Sequence, residues 1–154
     1  VRLPRHVSPH LAAASAGVRI DPAALVTILK AEERERSTSW VIEGAGGALV
    51  PVNDGSLVAD LMVSLGLPVL VVARTTLGTI NHTLLTLEAL RARALTVAGV
   101  VMVGVPNRDN RFAIERYGRV AAIAELPWLR PLEASALHDA AVRAGLDQFL
   151  PARR

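Results

Sequence analysis

The sequence contains no cysteine, and this absence excludes several classes of protein. Disulfide-stapled scaffolds, cysteine-ligated zinc, iron–sulfur clusters and thiol catalysis all need a cysteine side chain. Charged residues make up only 20% of the 154 residues, which excludes a disordered or acidic solvating segment. Because 51% of the residues are apolar, the chain has enough hydrophobic material for one domain with its own core.

Long apolar runs and aromatic residues are also scarce. Gly, Pro or a charged residue interrupts every apolar run well before the ~18 residues that suggest a membrane-spanning helix. No secretion signal is visible, so the expected compartment is the cytoplasm. Aromatic residues are 3% of the sequence and the arginines are scattered, which leaves little material for base stacking or a basic face. Neither nucleic acid nor a membrane is therefore expected as a partner.

Lysine is almost absent, since Lys30 is the only lysine among the 17 basic residues. A P-loop needs the pattern G-x-x-x-x-G-K-[ST], and no glycine precedes Lys30 in that window. These 154 residues therefore contain no P-loop. The dinucleotide-binding pattern G-x-G-x-x-G and the nucleophile elbow G-x-S-x-G are absent as well.

The 4 histidines have no spacing that suggests a metal site: His6, His10, His82 and His138. The first two are close in sequence, but Pro9 argues against a helix that would place them on one face. No third ligand lies near them in the sequence. We expect these histidines to be capping or surface residues.

Apolar runs alternate with helical stretches along the chain. The predicted strands are residues 40–42, 68–73, 97–105 and 120–126. The predicted helices are residues 22–36, 54–65, 80–93, 109–117 and 134–149. This alternation predicts an α/β fold with a mostly parallel sheet flanked by helices. Ligands of such sheets bind at the carboxyl ends of the strands, so the residues after each strand are the candidates for function.

A carboxylate and a glycine-rich stretch follow the first predicted strand. Glu43 ends the apolar run, and three of the next four residues are glycine. Glycines let a turn approach a ligand closely and aim its N–H groups at an anion. A lone carboxylate beside such a turn can hold Mg²⁺, which takes its other ligands from water and phosphate. A tight surface turn with an exposed glutamate is an equally good interpretation of these residues alone.

A polar loop joins the second predicted strand to the following helix at residues 75–82. The first N–H groups of that helix have no partner within the helix and lie at the positive end of its dipole. They form a ready site for a carboxylate or a phosphate. Ordinary capping of the helix by Thr79 is the alternative, and these residues alone favour it.

Five segments, taken in order, resemble the dethiobiotin synthetase family. They are Ser8–His10, Trp40–Gly47, Gly78–Thr86, Asn110–Arg111 and Glu125–Leu129, and together they run through nearly the whole chain. Enzymes of cobyrinate amidation share the glycine and helix features, whereas Ser8–His10 and Pro127–Leu129 point to the biotin enzyme. The resemblance implies a P-loop NTPase-like fold without its P-loop strand, as one domain over residues 1–154.

The resemblance also implies a chemistry and a set of site residues. The family closes the ureido ring of 7,8-diaminononanoate with CO₂ and MgATP, by way of a carbamate that attacks the γ-phosphate. The residues it implies for ATP binding are Glu43, which would also be the Mg²⁺ ligand, Gly44, Ala45, Gly46, Pro127, Trp128, Leu129 and Glu133. Those it implies for the tail carboxylate of the substrate, at the interface of a homodimer, are Gly78, Thr79, Ile80 and Asn81.

Two features depart from the family's pattern. The match begins partway into it, so the P-loop, the carbamate-stabilising lysine and a second Mg²⁺-binding aspartate are not among these residues. Because electrostatic groups of that kind usually supply the largest share of catalysis, we expect no turnover by the 154-residue chain alone and assign no catalytic residue. The purine-reading asparagine of the family corresponds to Val103, whose side chain forms no hydrogen bonds.

Two hypotheses about function, of different classes, therefore remain open. One is an enzyme whose amino-terminal part is missing from this sequence. Val1 as the first residue and a mean hydropathy of +0.37 favour it, because loss of an interior strand would leave an unpaired, apolar sheet edge. The other is a catalytically degenerate relative that acts as a binding or dimerisation module, which Val103 favours mildly.

Overall fold

The computed structural model describes residues 2–32 and 40–148, and the chain forms two compact units. The first unit contains Val1–Leu67 and Ala92–Leu95, and the second contains Pro68–Arg91 and Thr96–Arg154. None of the described helices combines the length and the apolar character needed to cross a membrane.

The first unit contains three helices and a short hairpin. Its elements are α1 (Pro9–Ser15), α2 (Pro22–Glu32), β1 (Pro51–Asn53), β2 (Ser56–Leu57) and α3 (Val58–Leu65). As expected, no helix places His6 and His10 on one face, because α1 begins at Pro9 and His6 precedes it. A proline at the first helical position has the right φ, and its missing N–H would have had no partner there. Residues 33–36 of the predicted second helix lie outside the described residues.

The helix predicted over residues 54–65 begins only at Val58. The preceding residues form the antiparallel pair β1–β2, whose turn is closed by a 2.9 Å hydrogen bond from Gly55 N to Asn53 Oδ1. Asp60 Oδ2 accepts a hydrogen bond from Leu57 N at 2.8 Å, which satisfies a donor at the start of α3. Asn and Asp side chains favour such turns, so the local side-chain bonds outweighed the helical pattern.

The strand predicted over residues 40–42 is also wrong, because Trp40–Glu43 has no regular secondary structure. Val41 is 84% exposed, and no described strand pairs with this segment. A short β-branched run forms a strand only where a neighbouring strand supplies hydrogen bonds and burial. The apolar pattern therefore identified a segment that could form a strand, but no described strand lies beside it to pair with it.

The second unit confirms the α/β prediction. Its elements are β3 (Val69–Arg74), α4 (Thr79–Arg91), β4 (Val97–Val103), α5 (Arg108–Gly118), β5 (Ala122–Leu126), α6 (Ala134–Arg143) and a 3₁₀ helix (Leu146–Gln148). The strands form a parallel sheet in the order β3-β4-β5, and α4 and α5 contact it. The last predicted helix is shorter than expected, because it ends at Arg143, and Phe149 lies outside the described residues.

The core of the second unit lies on the central strand and the two helices that follow the first two strands. Val100 and Met102 of β4 and Ile114 of α5 are all 0% exposed, and Leu87 and Leu90 of α4 are 1% exposed. Because the three strands are parallel, their carboxyl ends lie at one edge of the sheet. The residues after β3, β4 and β5 therefore share that edge, where ligands of such sheets bind.

Candidate functional site

The predicted site residues are divided between the two units. Glu43, Gly44, Ala45 and Gly46 belong to the first unit. Gly78, Thr79, Ile80, Asn81, Pro127, Trp128, Leu129 and Glu133 belong to the second, where all of them follow the carboxyl end of β3 or of β5. The helix start and the loop after β5 are thus placed at the edge of one sheet.

Packing in the first unit dictates glycine at two positions of the Glu43–Gly47 segment. A Cβ atom at Gly44 would lie 2.8 Å from Val58 Cγ1, which is too close for two carbon atoms. Gly46 has a φ of +91°, which other residues rarely adopt, and a Cβ there would lie 3.0 Å from Val50 Cγ2. The glycines are therefore required by local sterics, whatever else the turn binds.

The Glu43 carboxylate is exposed and forms no hydrogen bond or ion pair with another described residue. Across residues 2–32 and 40–148, no group of three or more His, Cys, Asp or Glu side chains is placed to hold a metal. A single free carboxylate suits Mg²⁺, which keeps several waters and uses one or two carboxylates with substrate phosphates. One carboxylate alone could therefore hold Mg²⁺ only where water and phosphate supply the other ligands.

The beginning of α4 has free N–H donors. The Thr79 hydroxyl donates to Arg74 O at 2.5 Å, so it ties the helix back to β3 and does not cap it. Thr79 N donates to Thr76 O at 3.1 Å, whereas the N–H groups of Ile80 and Asn81 have no partner in the described chain. The side-chain capping that the sequence favoured is therefore wrong. Two backbone donors remain for an anion at this helix start.

The loop after β5 presents an exposed indole at the sheet edge. Trp128 is 67% exposed, Pro127 is exposed and Leu129 is half-buried. Glu133 occupies the position before α6, and its side chain forms no capping hydrogen bond there. The loop thus offers a flat apolar ring next to the strand ends, and an exposed carboxylate before α6.

Thr75 and Gly104 lie directly after β3 and β4, and sequence analysis included Thr75 only as part of the loop at residues 75–82 and gave Gly104 no role. Thr75 is 6% exposed, and Asn110 Nδ2 donates to its carbonyl oxygen at 3.0 Å. Gly104 has a φ of +138°, and a Cβ atom there would overlap Thr75 Oγ1 and lie 3.5 Å from Trp128 Nε1. Three strand ends therefore meet at one point. The signal in the sequence was a polar residue and a glycine, each at the carboxyl end of a predicted strand.

The Arg111 guanidinium joins α5 to both ends of β5. Its Nη2 donates to Ala122 O at 2.7 Å, its Nη1 lies 3.1 Å from Glu125 Oε2, and its Nε lies 3.3 Å from Glu115 Oε1. Burial by itself lowers the pKa of Arg111, but the hydrogen bonds and charges of Glu125 and Glu115 outweigh it and raise that pKa. The arginine therefore remains charged and fixes the strand from which the Trp128 loop leaves.

Replacing Arg111 by alanine is expected to lower the free energy of unfolding by about 1–3 kcal/mol, because Glu125 would be left without its partner and Ala122 O without a donor. Urea denaturation followed by circular dichroism measures this. Arg108→Ala, an exposed arginine on the same helix, is the matched control and should change stability by less than about 0.5 kcal/mol. Equal midpoints for the two variants would contradict the role of Arg111.

The chain is similar in sequence to known proteins over most of its length. A family model described as an AAA domain matches residues 1–136. The ATP-dependent dethiobiotin synthetase BioD of Paramagnetospirillum magneticum is 48% identical over 137 residues, which are 89% of this chain and 64% of that protein. The enzyme of the same name from Agrobacterium fabrum is 47% identical over 139 residues, 90% of this chain and 63% of that protein.

A third relative is the biotin biosynthesis bifunctional protein BioCD of Bordetella avium, which is 54% identical over 103 residues, 67% of this chain and 22% of that protein. The chain thus spans 64% and 63% of the two dethiobiotin synthetases above. The family match covers far more than half of the chain, and the parallel sheet flanked by helices agrees with it. The chain belongs to the AAA domain family of that model and, within it, to the dethiobiotin synthetase family.

Proposed function

We propose that this chain is part of an ATP-dependent dethiobiotin synthetase, which closes the ureido ring of 7,8-diaminononanoate with CO₂. The observation that carries the proposal is the 48% identity to such an enzyme over 89% of the chain. The free N–H groups at the start of α4 and the exposed Trp128 at the same sheet edge support it. Residues 1–154 form one domain of this enzyme, and its compartment is the cytoplasm.

The start of α4 binds the tail carboxylate of the diamine. Gly78, with a φ of +92°, turns the chain into the helix and leaves the N–H groups of Ile80 and Asn81 free to donate. The positive end of the helix dipole adds to their attraction for an anion. The Thr79 hydroxyl holds this helix end on β3, so the donors keep their direction when the ligand binds.

In the first unit, Glu43 and the glycine turn bind phosphate and Mg²⁺. Gly44, Ala45 and Gly46 bring backbone close to the phosphates, and the free Glu43 carboxylate binds Mg²⁺. When bound, Mg²⁺ neutralises charge on the phosphate oxygens. In the second unit, Pro127, Trp128, Leu129 and Glu133 bind a nucleoside, with the Trp128 ring as a flat apolar surface.

The test is synthesis of dethiobiotin by a full-length protein that carries this sequence, supplied with 7,8-diaminononanoate, bicarbonate and MgATP. Mass spectrometry should detect dethiobiotin together with stoichiometric ADP. The isolated 154-residue chain should form none, because it contains no P-loop and its only lysine, Lys30, lies in helix α2. Dethiobiotin formed by the isolated chain would contradict the assignment of catalysis to residues outside it.

The alternative is a catalytically degenerate relative that serves as a binding or dimerisation module. Val103 favours it, because this side chain cannot form the hydrogen bonds of the asparagine that the family has there. The assay for dethiobiotin and ADP distinguishes the enzyme from the module. A full-length protein that binds the diamine but forms neither ADP nor dethiobiotin would support the module.

A homodimer through α4 is the proposed assembly. Leu77, at 104% exposure, and Leu85, at 55%, are apolar side chains before and on this helix that a partner would cover. Leu85→Glu is therefore expected to convert the dimer to a monomer in sedimentation velocity. Leu137→Glu, which alters a 45% exposed leucine on α6, should leave the dimer intact. A monomeric parent protein, or a dimer that survives Leu85→Glu, would contradict this interface.

A further inference from the structure

We propose that Asn110 is a positioning residue for the tail carboxylate of the diamine. Its side-chain amide fixes the peptide that leads from β3 into α4, and this holds the free N–H groups of Ile80 and Asn81 in the direction of the carboxylate. The inference rests on the proposed function, since it concerns the same anion site at the start of α4. Asn110 acts through the backbone and not by contact with the substrate.

The turn between β3 and α4 is held by hydrogen bonds and hardly by burial. Thr76, Leu77 and Gly78 are all exposed, and the exposure of Leu77 is 104%. Thr79 supplies two of the bonds, because its hydroxyl donates to Arg74 O at 2.5 Å and its N–H donates to Thr76 O at 3.1 Å. Both of these bonds are internal to the connection from β3 to α4.

The bond from Asn110 joins this turn to a different helix. Asn110 lies in the first turn of α5, and its Nδ2 donates to Thr75 O at 3.0 Å from 35 positions further along the chain. Thr75 O lies between the two carbonyl groups that Thr79 binds, so three successive carbonyl groups have a donor. Because Thr75 is 6% exposed, water cannot readily replace the amide of Asn110.

Asn110 is itself firmly placed. Its N–H donates to Asn107 Oδ1 at 2.9 Å, which caps α5. The helix packs against α4 and β5, and its Ile114 is 0% exposed. The peptide of Thr75 is therefore held from a fixed helix start. Donors that are already fixed before the ligand arrives lower the ordering cost of binding.

The support from Asn110 matters because the turn contains a glycine. Gly78 has a φ of +92° here, but glycine also adopts many other conformations. Without the bond to Thr75 O, the turn could take up some of these, and the N–H groups of Ile80 and Asn81 would lose their common direction. We therefore expect weaker binding of the carboxylate. Binding of a nucleoside at the Trp128 loop should not change, because the bond lies in a different loop.

The experiment compares Asn110→Asp with Asn107→Asp in the full-length protein. Asn110→Asp keeps the size of the side chain but removes the N–H that donates to Thr75 O. Asn107→Asp adds the same charge at the same end of α5, yet keeps the oxygen that accepts from Asn110 N. Because a carboxylate is favourable in the first turn of a helix, both variants should fold, which circular dichroism checks.

Calorimetric titration with 7,8-diaminononanoate and with its carboxamide gives the dissociation constants. Asn110→Asp should bind the carboxylate about 3- to 10-fold more weakly than Asn107→Asp does, whereas the two variants should bind the carboxamide equally. In steady-state assays of Asn110→Asp, the KM for the diamine should rise while kcat and the KM for ATP stay within about twofold of those of Asn107→Asp. A general loss of structure would lower kcat and would not single out the carboxylate.

Four outcomes decide the matter. Equal affinity of the two variants for 7,8-diaminononanoate, or an equal loss for the carboxylate and the carboxamide, would overturn this inference alone. A parent protein that binds the carboxylate no better than the carboxamide would overturn the anion site at α4 and this inference with it. Asn110-dependent binding without dethiobiotin synthesis would overturn only the proposed function. If Asn110→Asp fails to fold, the same titrations of Asn110→Ala take its place.

Discussion

Replacing Glu43 by alanine in a full-length protein that carries this sequence is expected to lower Mg²⁺-dependent dethiobiotin formation by at least about 100-fold. A metal ion contributes several kcal/mol to the stabilisation of phosphoryl charge, and each ~1.4 kcal/mol corresponds to a tenfold change in rate. The Glu43 carboxylate is exposed and has no partner among the described residues, so its removal should leave the fold intact. Steady-state production of dethiobiotin over a range of Mg²⁺ concentrations measures the effect.

Asp54→Ala is the matched control, because Asp54 is also an exposed carboxylate of the first unit and lies in the β1–β2 turn. Its turnover and its Mg²⁺ dependence should equal those of the parent protein. Both variants should keep the parent's thermal midpoint within the error of the scan. Full activity in Glu43→Ala, or an equal loss in Asp54→Ala, would remove Glu43 from the metal site.

Replacing Leu87 by alanine is expected to lower the free energy of unfolding by about 2–5 kcal/mol, the range found when a fully buried leucine is truncated. Leu87 is 1% exposed, and its Cδ1 lies 2.8 Å from the position that a Cβ atom of Gly118 would take. The absence of a side chain at Gly118 thus lets α4 and α5 approach closely, and Leu87 fills the space between them. Urea denaturation followed by circular dichroism gives the difference.

Leu137→Ala makes the same chemical change at a leucine that is 45% exposed on α6. It should change the unfolding free energy by less than about 0.5 kcal/mol, as surface substitutions usually do. A similar loss of unfolding free energy in both variants would contradict this role. It would show that any leucine-to-alanine change has this effect, whether or not the leucine packs between α4 and α5.

The strands of the second unit could be predicted because buried parallel strands are nearly continuous apolar runs. Val69–Arg74 and Val97–Val103 match such runs to within two residues at each end. The same reasoning failed at Trp40–Glu43, where a similar composition has no described neighbour to pair with. Apolar content predicts that a segment can be a strand, whereas pairing depends on what other parts of the chain lie beside it.

The helix ends were also predicted only in part from the sequence. Proline at the start of α2 was correctly interpreted, whereas α1, which also begins at a proline, was not predicted. Likewise, threonine is a residue type that often caps helices, but the Thr79 hydroxyl donates its hydrogen bond to Arg74 O. That acceptor becomes available only when α4 folds back against β3.

The sequence by itself determined the parallel α/β architecture and the family, because periodicity and motif spacing are local properties of the chain. Only the tertiary structure decided that Thr75, Gly104 and Trp128 meet at one point. These residues follow three different strands, and the distance between them along the chain carries no information about their contact. Parallel pairing brings their strand ends to one edge, and that alignment depends on the non-local packing of β3, β4 and β5.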